Sequence, residues 1–249
     1  MSTRRIVVVA GNTRTRVALL QGLDVQMECD PIPTRLLTES SLQESLKAIH
    51  GHDARDIVLC SVVPAADVHI KAYCAHAGFA CTEVRSSDVR GMVIPYEPPD
   101  GLGADRVCGL LGLRSRYGSP AMLIDCGTAT TVNILDARGD FGGGCIFPGV
   151  AASLRALHTD TALLPALEPE AAMPEFPAFS TRDSLRAGAY WSAAWAMEGM
   201  IRRVRERHGE ALRVVLTGGG ASALRPALSA AVIEDQQLLF IGAAVFCGA

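Results

Sequence analysis

Two turns of this sequence combine glycine with hydroxyl and amide side chains, a composition typical of loops that bind phosphate. The first turn follows the apolar run 6–10 and comprises Gly11, Asn12, Thr13, Arg14, Thr15 and Arg16. The second follows the strand-like run 121–125 and comprises Gly127, Thr128, Ala129, Thr130 and Thr131. Glycine lets the backbone approach a ligand closely, and consecutive backbone N–H groups in such a turn bind anions. For either turn alone, an ordinary hairpin is the alternative.

A carboxylate and a guanidinium are adjacent in the segment Gly103, Ala104, Asp105 and Arg106, which follows a stretch rich in proline and glycine. In this segment Asp105 could accept a proton from a substrate hydroxyl. Arg106 could bind a carboxylate or a phosphate through two parallel hydrogen bonds. The alternative, which the residues alone favour, is an ordinary helix N-terminus with an aspartate in its first turn and an arginine on the surface.

Three adjacent glycines, Gly218 to Gly220, follow a predicted strand that ends at Thr217 and precede a predicted helix. Glycine at such a turn allows a nucleotide base or phosphate to lie against the backbone, although a simple strand-to-helix connection has the same composition. The glycines lack the Gly-x-Gly-x-x-Gly spacing of dinucleotide-binding proteins. The sequence therefore disfavours a dehydrogenase.

Strands that alternate with helices must position these turns, and this alternation predicts an α/β protein. Strands are predicted over residues 6–10, 17–20, 56–63, 80–84, 121–125, 131–135 and 214–217. Helices are predicted over residues 42–49, 68–77, 104–116, 150–158, 184–207 and 221–231. Thr181 is the predicted N-cap of the long helix, and residues 165–180 are predicted to be irregular because they are rich in proline, alanine and glutamate.

An internal repeat relates the two hydroxyl-rich turns. Residues 7–19 align with residues 123–135, and both segments consist of an apolar strand, a glycine turn and a second strand. Such a duplication predicts two homologous lobes with one ligand cleft between them. We assign the lobes to residues 1–103 and 104–249, with the stretch rich in proline and glycine as the hinge.

Composition and charge restrict the classes of partner. The chain has 249 residues, 49% of them hydrophobic, and a formal net charge of −3, which is typical of a folded protein without a basic surface for nucleic acid. The arginine-rich segment 202–207 is predicted to be a solvated helix face. The longest apolar run, 238–247, is far shorter than the roughly 20 residues that span a bilayer, and the N-terminus lacks the long apolar core of a signal peptide. We therefore predict a cytoplasmic protein with neither nucleic-acid nor membrane partners.

Cysteine and histidine residues do not indicate a structural metal. The eight cysteines form no C-x-x-C pair, and most lie among apolar residues, as buried cysteines do: Cys60, Cys108, Cys126, Cys145 and Cys247. The segments 50–53 and 69–76 contain histidine next to other metal-binding residue types, but neither is accompanied by a second ligand pair at zinc spacing.

In their order and spacing, these motifs resemble the type III pantothenate kinases, of the acetate kinase, sugar kinase, Hsp70 and actin superfamily. The resemblance covers nearly the whole chain and rests on Gly11 to Thr15, Tyr96-Glu97, Pro99, Gly103 to Arg106, Asp125 to Thr131, Gly143-Gly144, Pro148-Gly149, Leu163, Pro165, Thr181 and Thr217-Gly218-Gly219. It implies two duplicated actin-like, ribonuclease H-like lobes, each a mixed β-sheet with flanking helices, and a homodimer with an active site shared between subunits. It also implies phosphoryl transfer from ATP to (R)-pantothenate, the first step of coenzyme A biosynthesis, with Mg2+ and with K+ or NH4+.

The resemblance assigns a role to each matching residue. Asp105 is implied to be the base that activates the pantothenate hydroxyl, and Asp125 to be a ligand of the monovalent cation. Pantothenate contacts are implied for Tyr96, Gly103, Ala104, Arg106 and, from the other subunit, Thr181. ATP contacts are implied for Gly11, Asn12, Thr13, Arg14, Thr15, Arg16, Thr128, Gly218 and Gly219.

The first loop departs from the family pattern at Val9, which the internal repeat places opposite Asp125. The family's loop begins Asp-x-Gly-Asn, and its aspartate holds the magnesium that neutralises the transferring phosphates. Because phosphoryl transfer depends on electrostatic stabilisation, the loss of that carboxylate predicts a large loss of rate. Three functions are therefore open: a pantothenate kinase, a repurposed paralogue that binds a nucleotide or metabolite as a regulator, and a kinase for another small hydroxy-acid.

Overall fold

The computed structural model describes residues 4–49 and 54–248, and the chain folds into two compact units. The first unit contains the described residues up to Gly118 together with those from Gln237 onward. The second unit contains Ser119 to Gln236.

The regular elements alternate between strands and helices, which confirms the predicted α/β class. The strands are β1 (Arg4–Ala10), β2 (Arg14–Gln21), β3 (Asp24–Glu28), β4 (Ile32–Pro33), β5 (Asp56–Ser61), β6 (Ala80–Glu83), β7 (Ala121–Cys126), β8 (Ala129–Leu135), β9 (Phe141–Pro148), β10 (Arg213–Thr217) and β11 (Ile233–Glu234). The helices are α1 (Glu39–Lys47), α2 (Pro64–Ala77), α3 (Ala104–Tyr117), α4 (Val150–Thr159), α5 (Thr181–His208), α6 (Ala221–Leu224) and α7 (Leu238–Phe246).

The two units contain mixed sheets with the same strand order and the same strand directions. The first sheet has the order β3-β2-β1-β5-β6, with β4 beside β2, and the second has the order β9-β8-β7-β10-β11. In each sheet the first two pairs are antiparallel and the last two are parallel. This equivalence confirms the predicted duplication. It also aligns Val9 with Asp125, because each is the penultimate residue of the first strand of its sheet.

The hairpin turns of the two units differ in length, which an alignment without gaps does not show. Ala10 pairs with Thr15 in the first sheet, whereas Cys126 pairs with Thr130 in the second. The first turn is therefore one residue longer. Thr15 is consequently the structural counterpart of Thr130, although the sequence alignment set it opposite Thr131.

Alternation along β1 assigns Val9 to one face of the first sheet. Ile6, Val8 and Ala10 pack in the core that β1 forms with α1 and α2. Because successive side chains of a strand point to opposite faces, Val7 and Val9 lie on the other face. Helices α3 and α7 cover that face, where they contact β1 and β5.

Helices α3 and α7 pack against each other through glycine. A Cβ atom at Gly242 would lie 1.7 Å from the Cys108 carbonyl oxygen, and one at Gly112 would lie 2.2 Å from the Leu238 carbonyl oxygen. Neither glycine can therefore be replaced without separating the helices. This contact places α3 and α7 in the first unit, so the two units differ from the lobes assigned as 1–103 and 104–249.

Several predicted elements differ from those in the structure. The predicted helix 221–231 is limited to the short α6 and a 3-10 turn at Arg225–Ala227 that contains Pro226, since proline cannot donate the next helical hydrogen bond. The long helix begins at Thr181, and its N-cap is Ser180, whose side chain accepts the Asp183 N–H. Strands β3, β4, β9 and β11 and helix α7 were not predicted. Cys145 is exposed and Cys247 is partly exposed, in contrast to the buried positions predicted for both.

Metal ligands and membrane spans were sought in the described parts of the chain. Within residues 4–49 and 54–248, no three His, Cys, Asp or Glu side chains are grouped so as to hold a metal ion. The segment 50–53, weighed above as a histidine cluster, lies outside the described residues. None of the described helices has the length and apolar character required to cross a bilayer.

Candidate active site

The turn between β1 and β2 presents its central residues to solvent. Asn12, Thr13 and Arg14 are exposed, whereas Thr15 is fully buried. Gly11 donates its backbone N–H to the Arg14 carbonyl oxygen at 3.1 Å, which closes the turn. The turn is thus a compact loop with exposed polar groups at its tip, as a phosphate loop requires.

Thr34, which the sequence analysis missed, holds this turn in place. Its hydroxyl donates to the Gly11 carbonyl oxygen at 2.7 Å, and its backbone N–H donates to the Thr13 carbonyl oxygen at 3.0 Å. The hydroxyl oxygens of Thr15 and Thr34 are 3.1 Å apart. Thr34 directly follows β4, which pairs with β2. A threonine after a short strand carries no phosphate-loop signal, so the sequence offered no means of finding it.

The end of β1 lacks the oxygen ligands that a divalent cation prefers. Val9 is 7% exposed, and its cross-strand partners are Arg16 on β2 and Cys60 on β5. The Arg16 guanidinium bonds to a single carboxylate oxygen of Glu28, with Nε at 2.8 Å and Nη2 at 2.7 Å, and lies 4.6 Å from the centre of the Phe240 ring. The carboxylate beside this strand end is therefore already bound to a cation.

The end of β7 has the opposite chemistry. Asp125 has Thr131 on β8 and Thr217 on β10 as its cross-strand partners, so the three side chains share one face of the sheet. The Thr217 hydroxyl is buried and finds no hydrogen-bond partner among the described residues. The Thr131 hydroxyl accepts a hydrogen bond from Asn133 at 3.4 Å. One carboxylate and two hydroxyls on a common face are suitable ligands for a hard cation.

Glycine brings neighbouring backbone up to Asp125 and to the second turn. Gly218 has φ +86°, and a Cβ atom there would lie 2.2 Å from an Asp125 carboxylate oxygen. Gly149 donates its backbone N–H to the Thr128 carbonyl oxygen at 3.1 Å, and Gly220 donates to the Cys126 carbonyl oxygen at 2.8 Å. The second turn is therefore held by backbone from two other segments, and any side chain at Gly218 would displace the carboxylate.

A side-chain network supports the Gly218 peptide from the other side. The Gln236 amide nitrogen donates to the Gly218 carbonyl oxygen at 3.1 Å and to a Glu234 carboxylate oxygen at 3.0 Å. The same Glu234 oxygen accepts the Ser222 hydroxyl. Hydrogen bonds from Ser222 and Gln236 hold the pKa of Glu234 below its ordinary value, so this carboxylate is ionised and accepts both bonds.

Burial affects one further titratable group of the second turn. Burial, together with the negative charge of Asp125, raises the pKa of the Cys126 thiol to about 12. Cys126 is therefore a neutral thiol at neutral pH and not a nucleophile.

Asp105 lies in the first turn of α3, where the helix dipole favours its negative charge. A carboxylate oxygen of Asp105 accepts the Arg106 backbone N–H at 2.7 Å. Burial raises the pKa of Asp105 above its ordinary value, and this effect exceeds the opposing effects of the Arg106 backbone N–H and of the Arg106 charge. A Cβ atom at Gly103 would lie 2.7 Å from the carboxylate, so glycine there makes room for it. A half-buried carboxylate with a raised pKa has the properties of a general base.

Arg106 is buried beneath Tyr96, at 6% exposure. Its guanidinium donates to the Tyr96 hydroxyl at 3.2 Å and lies 5.5 Å from the centre of the Tyr96 ring. The surface arginine of an ordinary helix start, the alternative that the residues alone favoured, is therefore wrong. Tyr96, Asp105 and Arg106 form one cluster at the start of α3.

The end of β5 connects this cluster to the first turn. Val62 donates its backbone N–H to the Ala10 carbonyl oxygen at 3.2 Å, next to Gly11. The same residue's side chain lies 3.5 Å from the position of a Cβ atom at Gly103. The first turn and the Asp105 cluster therefore lie at the same end of the first sheet.

Thr181 lies in the second unit, at the exposed N-terminus of α5. It lines a groove of about 520 Å³ together with Leu157, Leu164, Phe179 and Leu185. Leu157 and Phe179 of this groove are exposed apolar side chains, and the same unit also exposes Leu163, Met173, Phe176 and Trp195. Thr181 therefore borders a groove with exposed apolar side chains.

Comparison with known proteins places this geometry in a family. Residues 5–203 match the family model described as type III pantothenate kinase. A type III pantothenate kinase from Rubrobacter xylanophilus is 34% identical over 225 residues, which cover 84% of this chain and 84% of that protein.

Solved structures of low sequence identity share the fold. Ethanolamine utilization protein EutJ from Carboxydothermus hydrogenoformans has a TM-score of 0.58 at 13% identity, over 99% of this chain and 90% of that one. MreB 5 of Spiroplasma citri, solved with AMPPNP bound, has a TM-score of 0.50 at 10% identity, over 99% and 96%. Together with the duplicated sheets, these similarities show that the fold is actin-like.

Proposed function

This chain belongs to the type III pantothenate kinase family, and on that premise we propose that it transfers the γ-phosphoryl group of ATP to the hydroxyl of (R)-pantothenate. The products are 4′-phosphopantothenate and ADP, in the first step of coenzyme A biosynthesis. The observation that carries the proposal is the half-buried Asp105, whose pKa is raised, beside the buried Arg106, which is hydrogen-bonded to Tyr96. We place the reaction in the cytoplasm.

Asp105 acts as the general base. Its carboxylate accepts the proton of the pantothenate hydroxyl as the hydroxyl oxygen attacks the γ-phosphorus, and the bond from that phosphorus to the ADP oxygen breaks. Burial raises the proton affinity of this carboxylate, so it accepts the proton more readily than an exposed aspartate does. Arg106 and Tyr96 bind the acceptor, with Gly103 and Ala104 lining its site, and their mutual hydrogen bond keeps the guanidinium oriented.

The ATP phosphates are bound by the first turn, Gly11 to Arg16, and by the second turn at Thr128. Gly218 and Gly219 bind the remainder of the nucleotide. The glycines of both units provide close approach, and the exposed polar groups of Asn12 and Thr13 supply donors at the tip of the first turn.

A monovalent cation fits the residues at the end of β7. K+ and NH4+ are bound by oxygen ligands. The buried Thr217 hydroxyl lies beside Asp125 and Thr131 and has no hydrogen-bond partner among the described residues, so it is available as such a ligand. When bound, such an ion neutralises negative charge near the nucleotide phosphates. Asp125 would hold this ion, and the close approach of Gly218 restricts the position of the carboxylate.

Magnesium does not fit the end of β1. Val9 offers an apolar side chain, Arg16 offers a guanidinium that is bound to Glu28, and Cys60 offers a buried thiol. We therefore assign no step of the reaction to a magnesium ion at this strand. The same observation favours the second candidate function, a paralogue that binds a nucleotide or metabolite without turnover.

A homodimer completes the proposal. The groove beside Thr181, with Phe179 97% exposed, is covered by a second copy of the chain, since exposed apolar side chains grouped in one place mark an interaction site. The partner's Thr181 then contacts pantothenate. Sedimentation equilibrium should give twice the chain mass of 26.3 kDa, and a monomer at micromolar concentration would contradict the shared site.

The decisive experiment measures ADP release with pantothenate, magnesium and potassium in wild type and in Asp105→Asn. We expect turnover in wild type and a loss of about 100- to 10,000-fold in the variant, the range for removal of a general base. Because burial raises the pKa of Asp105, the wild-type rate should fall on acidification at a pH above the ordinary aspartate value of 3.8. Wild-type turnover that disappears in Asp105→Asn would exclude the non-catalytic paralogue. ATP binding without turnover would favour it, and turnover with another hydroxy-acid but not with pantothenate would identify the third function.

A further inference from the structure

We propose that Thr34 is a positioning residue that fixes the Gly11–Asn12 peptide and thereby directs the Asn12 backbone N–H toward a nucleotide phosphate. This inference rests on the proposed function, because it takes the first turn to be a phosphate loop. It adds a residue outside the loop, on a segment that carries no recognisable motif.

The hydrogen atoms in this network can be assigned one by one. The Thr34 hydroxyl has a single hydrogen, and the Gly11 carbonyl oxygen at 2.7 Å can only accept it. The contact of 3.1 Å between the Thr15 and Thr34 hydroxyls must therefore have Thr15 as its donor. The hydrogen bonds therefore run from Thr15 to Thr34 and from Thr34 to Gly11. Because Thr15 is fully buried, its hydroxyl cannot donate to water and requires an acceptor within the protein.

The direction of the Asn12 N–H follows from the planarity of the peptide. The carbonyl and N–H groups of a trans peptide point in opposite directions. Because the Gly11 carbonyl points at Thr34, the Asn12 N–H points away from Thr34, at a residue that is exposed. Glycine permits this peptide to rotate, and the bond to Thr34 removes that freedom. The bond from the Thr34 N–H to the Thr13 carbonyl fixes the other side of the tip.

The second turn is held differently. Its counterpart of Thr15 is Thr130, whose buried hydroxyl finds no partner among the described residues. The described second sheet has no strand corresponding to β4. Fixation of the turn by a threonine such as Thr34 is therefore found in the first unit and not in the described second unit. In the first unit Val9 offers no carboxylate for a metal, so backbone donors must contribute more of the phosphate binding.

Three variants of the full chain test the inference. Thr34→Val keeps the shape and removes the hydroxyl, Thr34→Ser keeps the hydroxyl, and Thr82→Val makes the same change at an exposed position of β6. For each, ATP affinity is measured by calorimetry, and amide hydrogen exchange of the peptide covering residues 10–16 is measured without nucleotide. We expect Thr34→Val to bind ATP about tenfold more weakly, as loss of one hydrogen bond to a charged group predicts, and to exchange faster in this peptide. Thr34→Ser and Thr82→Val should remain within about twofold of wild type.

The possible outcomes separate the inference from the proposed function. Equal ATP affinity and equal exchange in Thr34→Val and wild type would overturn the inference while leaving the kinase intact. A uniform loss in Thr34→Val and Thr34→Ser would also overturn it, because the hydroxyl would then be irrelevant. Absence of ATP binding in wild type would refute the proposed function and the phosphate target of Asn12. Exchange in the nucleotide-free protein would then still decide whether Thr34 fixes the peptide.

Discussion

The ends of β1 and β7 occupy the same place in two sheets of identical topology, and their side chains differ in almost every chemical respect. On β7, Asp125 lies between Thr131 and Thr217, which gives one charge and two hydroxyl oxygens on a common face. On β1, Val9 lies between Arg16 and Cys60.

The comparison shows that a duplicated backbone does not duplicate the binding chemistry. Strand order, strand direction and the glycine after the strand are preserved in both units, because they depend on backbone packing. The proposed cation ligands on β7 are side chains, and side chains can be replaced without loss of the sheet. In the first unit, buried contacts of Val9 and the Arg16–Glu28 pair take the place of an ion site.

The largest test of this difference restores the missing acid. Val9→Asp should raise kcat/KM in a magnesium-dependent manner by about a hundredfold or more, the scale on which one electrostatic group affects such transition states. ADP release at varied magnesium concentration measures the effect. Val9→Asn is the matched control, since it introduces a polar group of the same size without the charge.

One result would contradict the comparison, and another would contradict the proposed activity of the natural chain. Equal rates in Val9→Asp and wild type would show that the end of β1 does not contribute through an ion. Turnover that appears only in Val9→Asp would instead identify the natural chain as the non-catalytic paralogue. Because a carboxylate at a position 7% exposed is costly to bury, the unfolding temperature of both variants should be measured in parallel.

The second test removes the acid from the other unit. Asp125→Asn keeps a carbonyl oxygen but loses the charge, so potassium activation should be lost and ATP should bind about tenfold more weakly. Titration of activity with KCl at constant ionic strength measures this. Asp24→Asn, at an exposed position of β3, controls for the change in net charge. Potassium activation that persists in Asp125→Asn would place the cation elsewhere.

Local sequence was sufficient for the parts of this comparison that depend on residue type and short spacing. The glycine turns and the alternation of strands and helices are visible within short segments. The correspondence of Val9 with Asp125 follows from the similarity of two such segments, 7–19 and 123–135. The longer first turn was not visible, because a single extra residue shifts the alignment only beyond the turn.

Contacts between distant segments could not be predicted in the same way. Thr34 reaches a carbonyl 23 residues away, and Gln236 reaches one 18 residues away, and both are common residue types in segments without a motif. The packing of α7 on α3 depends on Gly112 and Gly242, which are ordinary helical glycines until the two helices meet. Such positions can be identified only when the fold brings the segments together.

The test with the smallest expected effect concerns the buried hydroxyl of Thr217. It asks whether this hydroxyl binds an ion or is a polar group without a hydrogen-bond partner and without a ligand role. Without potassium, Thr217→Val removes a buried polar atom that has no hydrogen-bond partner among the described residues, and should stabilise the protein by about 1 kcal/mol. Potassium should stabilise wild type by binding only the folded state, and should stabilise the variant less. Thermal unfolding in KCl and in choline chloride measures both effects.

The chain provides a matched control for this test in Thr130. Its hydroxyl is also buried and also finds no partner among the described residues, but its cross-strand partner is Cys126, so it lies on the face of the sheet opposite Asp125. Thr130→Val should therefore give a similar stabilisation that does not change with potassium. If both variants respond to potassium as wild type does, Thr217 is not a ligand. The proposed ion site at the end of β7 would then depend on the charge of Asp125 and not on the Thr217 hydroxyl beside it.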